Sequence, residues 1–314
     1  MENPSADIEQ VMEYRAALID NRLSSLVYAI EPSTLAEVIR YAMEQKGKRI
    51  RSTLLMLSCE AVGGDIDRAV MPATVVEMIH GTSLIMDDMI DHSGTRRGSM
   101  TINARWGGDM ALIACDAMMS LAISELTETE IGLTRVMLRS VADTMLRMAE
   151  GEAMELEMQV LGLEDYLKLA DKKTASLFSL SAKCGGLAGN GDHEQVEALG
   201  QYGRHLGLAF QIRDDILDFT ATSENTGKPE LQDLAMGRPS LVTILAADEG
   251  LSREKMLSMD RGTLLDALQP YIKKADSIAI KESEEARRWL GFIPRSLPGQ
   301  RLEALCSYAV ARNR

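Results

Sequence analysis

Residues 72–91 read PATVVEMIHGTSLIMDDMID. Pro72 suits the first turn of a helix, Val75, Met78, Ile79 and Leu84 recur at helical spacing, and helix breakers first accumulate at Ser93-Gly94. The pattern predicts one long apolar helix that runs to about Asp91 and ends in a DDxxD cluster formed by Asp87, Asp88 and Asp91. The same spacing returns in residues 207–218, GLAFQIRDDILD, with Asp214, Asp215 and Asp218. On a helix, residues i and i+4 share a face, so Asp87 stacks with Asp91 and Asp214 with Asp218, whereas Asp88 and Asp215 point away. Leu84-Ile85-Met86 precede the first cluster and Ile216-Leu217 sit inside the second, so the acids lie among residues that prefer burial. Buried carboxylates need compensation. Hard divalent cations supply it, and Mg2+ favours a few carboxylates completed by phosphate oxygens and water, which implies a diphosphate ligand. A single DDxxD is better read as a solvated helix end, or as a partner for nearby Arg213 and Lys228. Two clusters of equal spacing on two apolar helices make coincidence much weaker.

Helical periodicity covers 8–30 and 34–45, separated by Glu31-Pro32-Ser33, with Ser33 or Thr34 as the cap of the second helix. A helix over 53–62 ends at Gly63-Gly64, with the basic cluster Lys48, Arg49 and Arg51 at its entrance. Beyond a loop over 95–108, helical patterns occupy 110–126, 131–161, 166–187, 196–219 and 241–249, and the remainder is mainly helical with a break around 291–299. Twenty Met with few Phe and Pro favour helix over sheet. No linker or constant-period repeat divides the chain, so the expected fold is all-α: a single-domain antiparallel helix bundle over 1–314 around a central deep cavity. The most apolar stretch, 110–123, contains Asp116 and is shorter than the roughly 20 residues that cross a bilayer. It reads as a buried core helix, and no membrane span is expected.

The formal charge is −13, with 34 Lys and Arg against 47 Asp and Glu, so a nucleic acid would meet net repulsion. Cys59, Cys115, Cys184 and Cys306 show neither zinc nor disulfide spacing, and the polar start lacks the features of a secretory signal; reduced thiols in a cytoplasmic protein are expected. Against the acidic background stand Lys48 with Arg51, Arg96 with Arg97, Lys172 with Lys173, and Lys228. Each alone reads as a surface patch. Together their mixture of Arg forks and Lys point charges suits two substrates that each carry a diphosphate. GxxxxGK[ST] is absent, which removes the commonest nucleotide-phosphate loop, and Asp65-x-Asp67 reads as a solvated turn.

These residues resemble the trans-isoprenyl diphosphate synthases along essentially the entire chain. Gly47-Lys48-Arg49-Ile50-Arg51 is similar to the family's GKRxR, 80–91 followed by Arg96-Arg97-Gly98 to its first aspartate-rich block, Lys173-Thr174 to its KT, 207–218 to its second block, and Gly227-Lys228-Pro229 to its GKP. The resemblance implies an isoprenoid synthase-like fold, a homodimer, and a magnesium-dependent prenyltransferase that condenses isopentenyl diphosphate head-to-tail with dimethylallyl, geranyl or farnesyl diphosphate. It implies that Asp87, Asp91 and Asp214 hold Mg2+ ions bridging the allylic diphosphate, with Asp218 joining through water and Asp88 and Asp215 in support. Arg96, Lys173 and Lys228 would clamp that diphosphate, while Lys48, Arg51, His80 and Arg97 receive isopentenyl diphosphate. Thr174 and Gln211 would face the allylic cation with oxygen dipoles. Asp87, Asp91, Asp214, Lys173 and Arg96 thus form the implied catalytic set, and released diphosphate would take the final proton. For His80 a helix-packing role stands as the alternative. Met86 replaces a frequent His, Gln232 the Lys of KDL, Arg238 the Lys of GKxT, and Val242 a Pro; none is an expected metal ligand.

The growing tail is expected to run down the helix before Asp87, past Ser83 and Thr82 towards Ile79, Met78 and Val75. Thr82 leaves that path open where an aromatic residue would close it. Each turn is about 5.4 Å, so lowering the floor by one or two turns admits one or two further isoprene units. The expected product is geranylgeranyl diphosphate or somewhat longer, with simple core packing as the competing reading of Val75, Met78 and Ile79. The rival functions are a class I terpene cyclase, against which the second DDxxD argues, and a catalytically silent regulatory subunit, against which the intact aspartates and clamps argue.

Overall fold

The computed structural model describes residues 4–28, 30–45, 47–128, 131–157, 162–221 and 231–312. In chain order the helices are α1 (Pro4–Leu26), α2 (Ser33–Glu44), α3 (Ile50–Ala61), α4 (Asp67–Ile90), α5 (Ile102–Trp106), α6 (Gly108–Thr127), α7 (Ile131–Leu156), α8 (Leu163–Ala170), α9 (Ser176–Ala188), α10 (His193–Thr220), α11 (Gln232–Met236), α12 (Leu241–Asp248), α13 (Arg253–Leu257), α14 (Arg261–Trp289) and α15 (Leu297–Ala311). A π-helical turn, Asp171–Ala175, joins α8 to α9. Among the described residues the strands are the pair Thr95–Arg96 and Ser99–Met100. The fold is all-α.

Backbone contacts divide the chain into two compact units: residues 1–141, 181–199 and 292–304, and residues 142–180, 200–291 and 305–314. In the first, α4 packs against α6 and α3, and α1 against α3 and α4. Val38, Ile39, Leu54, Leu55, Leu57, Val75 and Met78 are buried there, each worth at most about 1.5–3 kcal/mol of transfer energy. Gly185 meets α3 so closely that a Cβ would lie 2.2 Å from the Leu55 carbonyl oxygen. In the second unit Tyr166, Ile212, Ile216, Phe219, Leu241, Leu245, Leu264 and Leu268 form one apolar cluster.

Local chemistry moved several boundaries. The α4 helix starts at Asp67 rather than Pro72, and the turn before it takes up its first amides: the Asp65 carboxylate accepts from the Asp67 amide at 3.0 Å and the Asp65 carbonyl from Arg68 at 3.2 Å. Pro72 lies inside the helix. At α2 neither Ser33 nor Thr34 caps; Pro32 takes the cap position with extended backbone, and its carbonyl accepts from Leu35 at 2.9 Å. Ser33 is then already helical. Within the expected loop over 95–108 lie the short hairpin and α5, capped by the Thr101 hydroxyl, which accepts from Ala104. The α7 helix ends at Leu156, and 158–161 lie outside the described residues.

The helix expected over 110–126 is longer than read: α6 spans 20 residues. It is also not uniformly buried. Ala111, Ala114, Cys115, Met118 and Ala122 face inward, whereas Leu112, Ile113 and Ile123 are exposed. Both α4 and α6 are long and apolar enough to cross a membrane, and most of α4's apolar window is buried inside the protein.

Candidate active site

The first unit brings the basic and acidic motifs together around α3 and α4. Arg49 ends the approach to α3 in left-handed backbone, φ 47°, and its guanidinium reaches Asp20 at 2.9 Å and Glu77 at 3.1 Å. That turn places Lys48 at the surface and Arg51 inside the first helical turn. Arg51 Nη1 lies 3.1 Å from His80 Nε2. Arg97, at φ 52°, covers Gly47 so closely that a Cβ on Gly47 would sit 2.6 Å from its Nη1. Burial, then the charges of Arg51, Arg97, Arg49 and Arg96, push the His80 pKa well below its usual value. The imidazole is therefore neutral at physiological pH, and four guanidinium groups raise the potential around it, which is a setting for anions.

The first aspartate cluster sits at the end of the same helix. Asp91 keeps helical backbone as the C-cap of α4, and its amide donates to the Asp87 carbonyl at 2.9 Å, so the two half-buried carboxylates remain one turn apart. Asp88 turns inward as expected: it is buried and accepts from Arg96 Nε at 2.8 Å. A buried aspartate paired in this way holds the hairpin residue Arg96 in place while neutralising both groups.

In the second unit, the π-turn carries Lys173 and Thr174 between two close approaches. A Cβ on Gly151 of α7 would lie 2.8 Å from the Lys173 amide nitrogen, and one on Gly207 of α10 would lie 2.6 Å from Ala175 Cα. Lys173 is paired with Glu152 at 2.7 Å and with Glu155. Asp171 anchors the turn through Arg204 at 2.5 Å and through Arg147. The Thr174 hydroxyl donates to Gln211 Oε1 at 2.7 Å, Gln211 Nε2 donates to Asp215 Oδ1 at 2.9 Å, and the Leu241 amide donates to Asp215 Oδ2 at 2.7 Å. Burial raises the Asp215 pKa to about 8 against the opposing hydrogen-bond donors Tyr166, Leu241 and Gln211. Burial, then the neighbouring Asp215, pushes the pKa of the buried Tyr166 hydroxyl well above its usual value.

Asp214 and Asp218, one turn apart on α10, occupy different settings. Asp214 is exposed and paired with Arg312 near the C-terminus, whose guanidinium also donates to the Phe210 carbonyl at 2.9 Å and lies 3.5 Å from the Phe210 ring centroid. Asp218 Oδ2 accepts from the Asp233 amide at 3.2 Å. Arg213, read from sequence as a partner for these acids, instead pairs with Asp276 at 3.3 Å and donates to the Arg312 carbonyl, because its position on α10 faces α14 and the end of α15. Arg238, at one of the departures from the family pattern, lies 3.6 Å from Asp233.

The donor set fits magnesium under one condition. Among the described residues no three His, Cys, Asp or Glu side chains gather into a metal cage. Asp87 with Asp91, or Asp214 with Asp218, supplies carboxylates that leave most of an octahedral shell to ligand oxygens and water, as Mg2+ prefers. Lys228 and the rest of 222–230 lie outside the described residues. Of the proposed length-setting residues, Val75, Met78, Ile79 and Thr82 are buried and Ser83 is half-buried; the Thr82 hydroxyl donates to the Met78 carbonyl at 2.9 Å. Sequence reasoning missed Glu152, Glu155, Asp171, Tyr166 and Arg312. The first three have a local signal in carboxylates spaced along α7 and beside the KT pair; Arg312, 98 residues from Asp214, has none.

Residues 32–263 match the profile of the family described as polyprenyl synthetase. The chain belongs to that family. It is an all-α prenyltransferase of the trans-polyprenyl diphosphate synthase class. It is 30% identical to the short chain isoprenyl diphosphate synthase of Methanothermobacter thermautotrophicus over 321 residues, covering 98% of this chain and 99% of the relative. The geranylgeranyl pyrophosphate synthetase structure from Pyrococcus horikoshii superposes with a TM-score of 0.90 at 32% identity, covering 98% of this chain and 99% of that one. The polyprenyl synthase of Caulobacter crescentus, solved with calcium and isoprenyl diphosphate, gives 0.86 at 26% identity over 98% of each chain.

Proposed function

We propose that this polyprenyl synthetase condenses isopentenyl diphosphate with an allylic diphosphate to give geranylgeranyl diphosphate or a somewhat longer linear product. The observation that carries the reading is the gathering of Arg51, Arg97, Arg49 and Arg96 around a neutral His80 on the helix that ends in Asp87 and Asp91. Guanidinium groups gathered beside one-turn-spaced carboxylates suit an anionic substrate and a cation that binds with it.

Lys48, Arg51, His80 and Arg97 bind isopentenyl diphosphate in this proposal, while Arg96, Lys173 and Lys228 grip the allylic diphosphate. The neutral imidazole leaves the arginine forks free of a competing charge, because Nε2 accepts from Arg51. Asp87, Asp91, Asp214 and Asp218 would hold Mg2+, which would neutralise charge developing on the departing diphosphate. The relative solved with calcium and isoprenyl diphosphate supports this assignment. Lys173 leaves Glu152 and Glu155, and Arg312 leaves Asp214, as the ligands arrive. Thr174 and Gln211 turn oxygen dipoles to the allylic cation, and the diphosphate released takes the proton from the adduct.

Residues 1–314 act as one catalytic domain in this reading. The deep cavity expected for the tail belongs to it too, with Ser83, Thr82, Ile79, Met78 and Val75 along its path. A homodimer is supported by the exposed apolar residues Leu112, Ile113, Ile123 and Val136.

The test is incubation of the purified chain with Mg2+, labelled isopentenyl diphosphate and, separately, dimethylallyl, geranyl and farnesyl diphosphates. Linear C20 or longer diphosphates are expected, lost on Asp87→Ala or Asp214→Ala. No incorporation from any primer would remove the proposal in favour of the silent subunit, and cyclic hydrocarbon would replace it with the cyclase.

A further inference from the structure

We propose that Glu77 is a positioning residue for the isopentenyl diphosphate site: it supplies the missing cap of α3 and anchors Arg49, so that Arg49 holds the turn bearing Lys48 and Arg51 and does not itself grip the diphosphate. The identity of that ligand rests on the proposed function; the contacts of Glu77 and Arg49 stand without it.

The residue that caps a helix N-terminus normally has extended backbone and a side-chain oxygen that accepts from an amide two or three residues on. Arg49 has neither: it sits at φ 47°, ψ 38°, and its side chain makes no cap bond. A residue with a Cβ persists in left-handed backbone where its surroundings fix it. Three helices do so here. The Arg49 guanidinium donates through Nε to Asp20 of α1 at 3.1 Å, through Nη1 to Glu77 of α4 at 3.1 Å, and through Nη2 to the Met43 carbonyl of α2. Nη2 also lies 2.9 Å from Asp20. Every nitrogen of this guanidinium is thus engaged by a protein acceptor. Glu77 carries two constraints at once: it is buried, its Oε2 accepts from Arg49, and its Oε1 accepts from the Ser52 amide at 3.2 Å. Ser52 is the third residue of α3, so its amide is one of the donors with no acceptor inside the helix. A carboxylate from α4 therefore does what the Arg49 side chain cannot, and it places negative charge at the positive end of α3. His80 follows Glu77 by three residues on the same face of α4, and Arg51 Nη1 reaches it at 3.1 Å. One face of α4 holds the α3 entrance at two points, Arg49 through Glu77 and Arg51 through His80. Lys48 and Arg51, on either side of Arg49, take their places from that anchor.

Charge alone predicts the opposite effect of removing Glu77. Deleting a carboxylate beside an anion site raises the local potential and tightens diphosphate binding, whereas deleting an anchor loosens it. The experiment measures kcat and both KM values for wild type, E77Q, R49K and E77Q/R49K, with melting temperatures, and amide hydrogen exchange at Ser52 of the wild type. E77Q is expected to raise KM for isopentenyl diphosphate about tenfold, with KM for the allylic primer and saturating kcat within about twofold. R49K keeps the charge but loses the planar fork that reaches three acceptors, so it raises the same KM. The double variant goes no further than the worse single one, because both act through one contact. The Ser52 amide exchanges as slowly as the interior amides of α3. In an active wild type, a KM for isopentenyl diphosphate that is unchanged or lower in E77Q, or R49K kinetics equal to wild type, overturns the anchor alone. A parallel loss in both KM values and kcat with a lower melting temperature shows general damage and overturns it too. If one single variant fails to fold the other decides, and a Ser52 amide that exchanges like an exposed one overturns the cap whatever the variants do. A wild type that incorporates no isopentenyl diphosphate overturns the proposed function and this role together.

Discussion

Arg51 can donate to His80 only while Nε2 carries no hydrogen, so the imidazole is held as the neutral tautomer with its hydrogen on Nδ1. Burial and the surrounding arginines set its folded pKa below the value of 6.5 that it recovers on unfolding. The unfolded chain therefore binds more protons in acid, and the stability contributed by a neutral His80 is fully present above about pH 6.5 and lost as pH falls towards the lower folded value. Urea midpoints at pH 7.5 and pH 5 should accordingly fall more in wild type than in His80→Gln; equal falls would show that the imidazole is not held neutral. Further along α4, near its C-terminus, Arg96→Ala strands the buried Asp88, and the expected loss is about 3 kcal/mol by denaturation. Arg96→Ala with Asp88→Asn should regain part of it. Sequence spacing alone put Asp88 and Asp215 off the metal-facing side, because helical periodicity is a local property. What they pair with was not legible, since Arg96 arrives through a hairpin and Leu241 through a helix cap distant in the chain.

Elements in this protein are set by close backbone approaches as much as by apolar faces. The long apolar patterns of α4 and α10 were readable because each repeats over many turns, while the start of α4 was not, since the Asp65 carboxylate that accepts from the Asp67 amide looks in sequence like part of an ordinary turn. The π-turn was equally hidden: nothing in DKKTA departs from helical composition, and only the contacts at Gly151 and Gly207 show why Lys173 and Thr174 sit where they do. Gly207→Ala would place a methyl 2.6 Å from Ala175 Cα, where backbone must move, at a cost of about 1–3 kcal/mol. Melting temperature and kcat should fall together, since the same shift separates Thr174 from Gln211. On α4, Thr82 is buried with the Cys115 thiol 3.9 Å from its carbonyl oxygen. In the proposed path for the tail, Thr82→Phe fills space one turn above Met78, so products should shorten by at least one isoprene unit in chromatography of the dephosphorylated alcohols. Unchanged length would place the tail elsewhere and leave Val75, Met78 and Ile79 as core.

Across the whole molecule 47 acidic residues outnumber 34 basic ones, and among the described residues the acids at the motifs meet local partners. Asp214 has Arg312, Asp88 has Arg96, and Asp215 accepts from Gln211 and the Leu241 amide, so these three acids have protein partners within the fold. Chelation should therefore abolish turnover while leaving helix content by circular dichroism unchanged. The same pairing bears on how a cation binds. Two carboxylates from one helix face leave most of an octahedral magnesium shell to be filled, and water fills it at little gain over bulk solution. In the proposed site a diphosphate would fill it with charged oxygens and at the same time meet Arg51, Arg96 and Arg97, so each ligand would complete the site of the other. Binding energies that depend on one another appear as a coupling, equal in both directions. Stabilisation by a ligand rises with the logarithm of its concentration over its dissociation constant. Millimolar Mg2+ alone and inorganic diphosphate alone should each move the melting temperature little, whereas the two together should raise it by several degrees, and Asp87→Ala should reduce the joint shift to the sum of the separate ones. An equally large shift with Mg2+ alone would mean that the protein itself completes the metal shell.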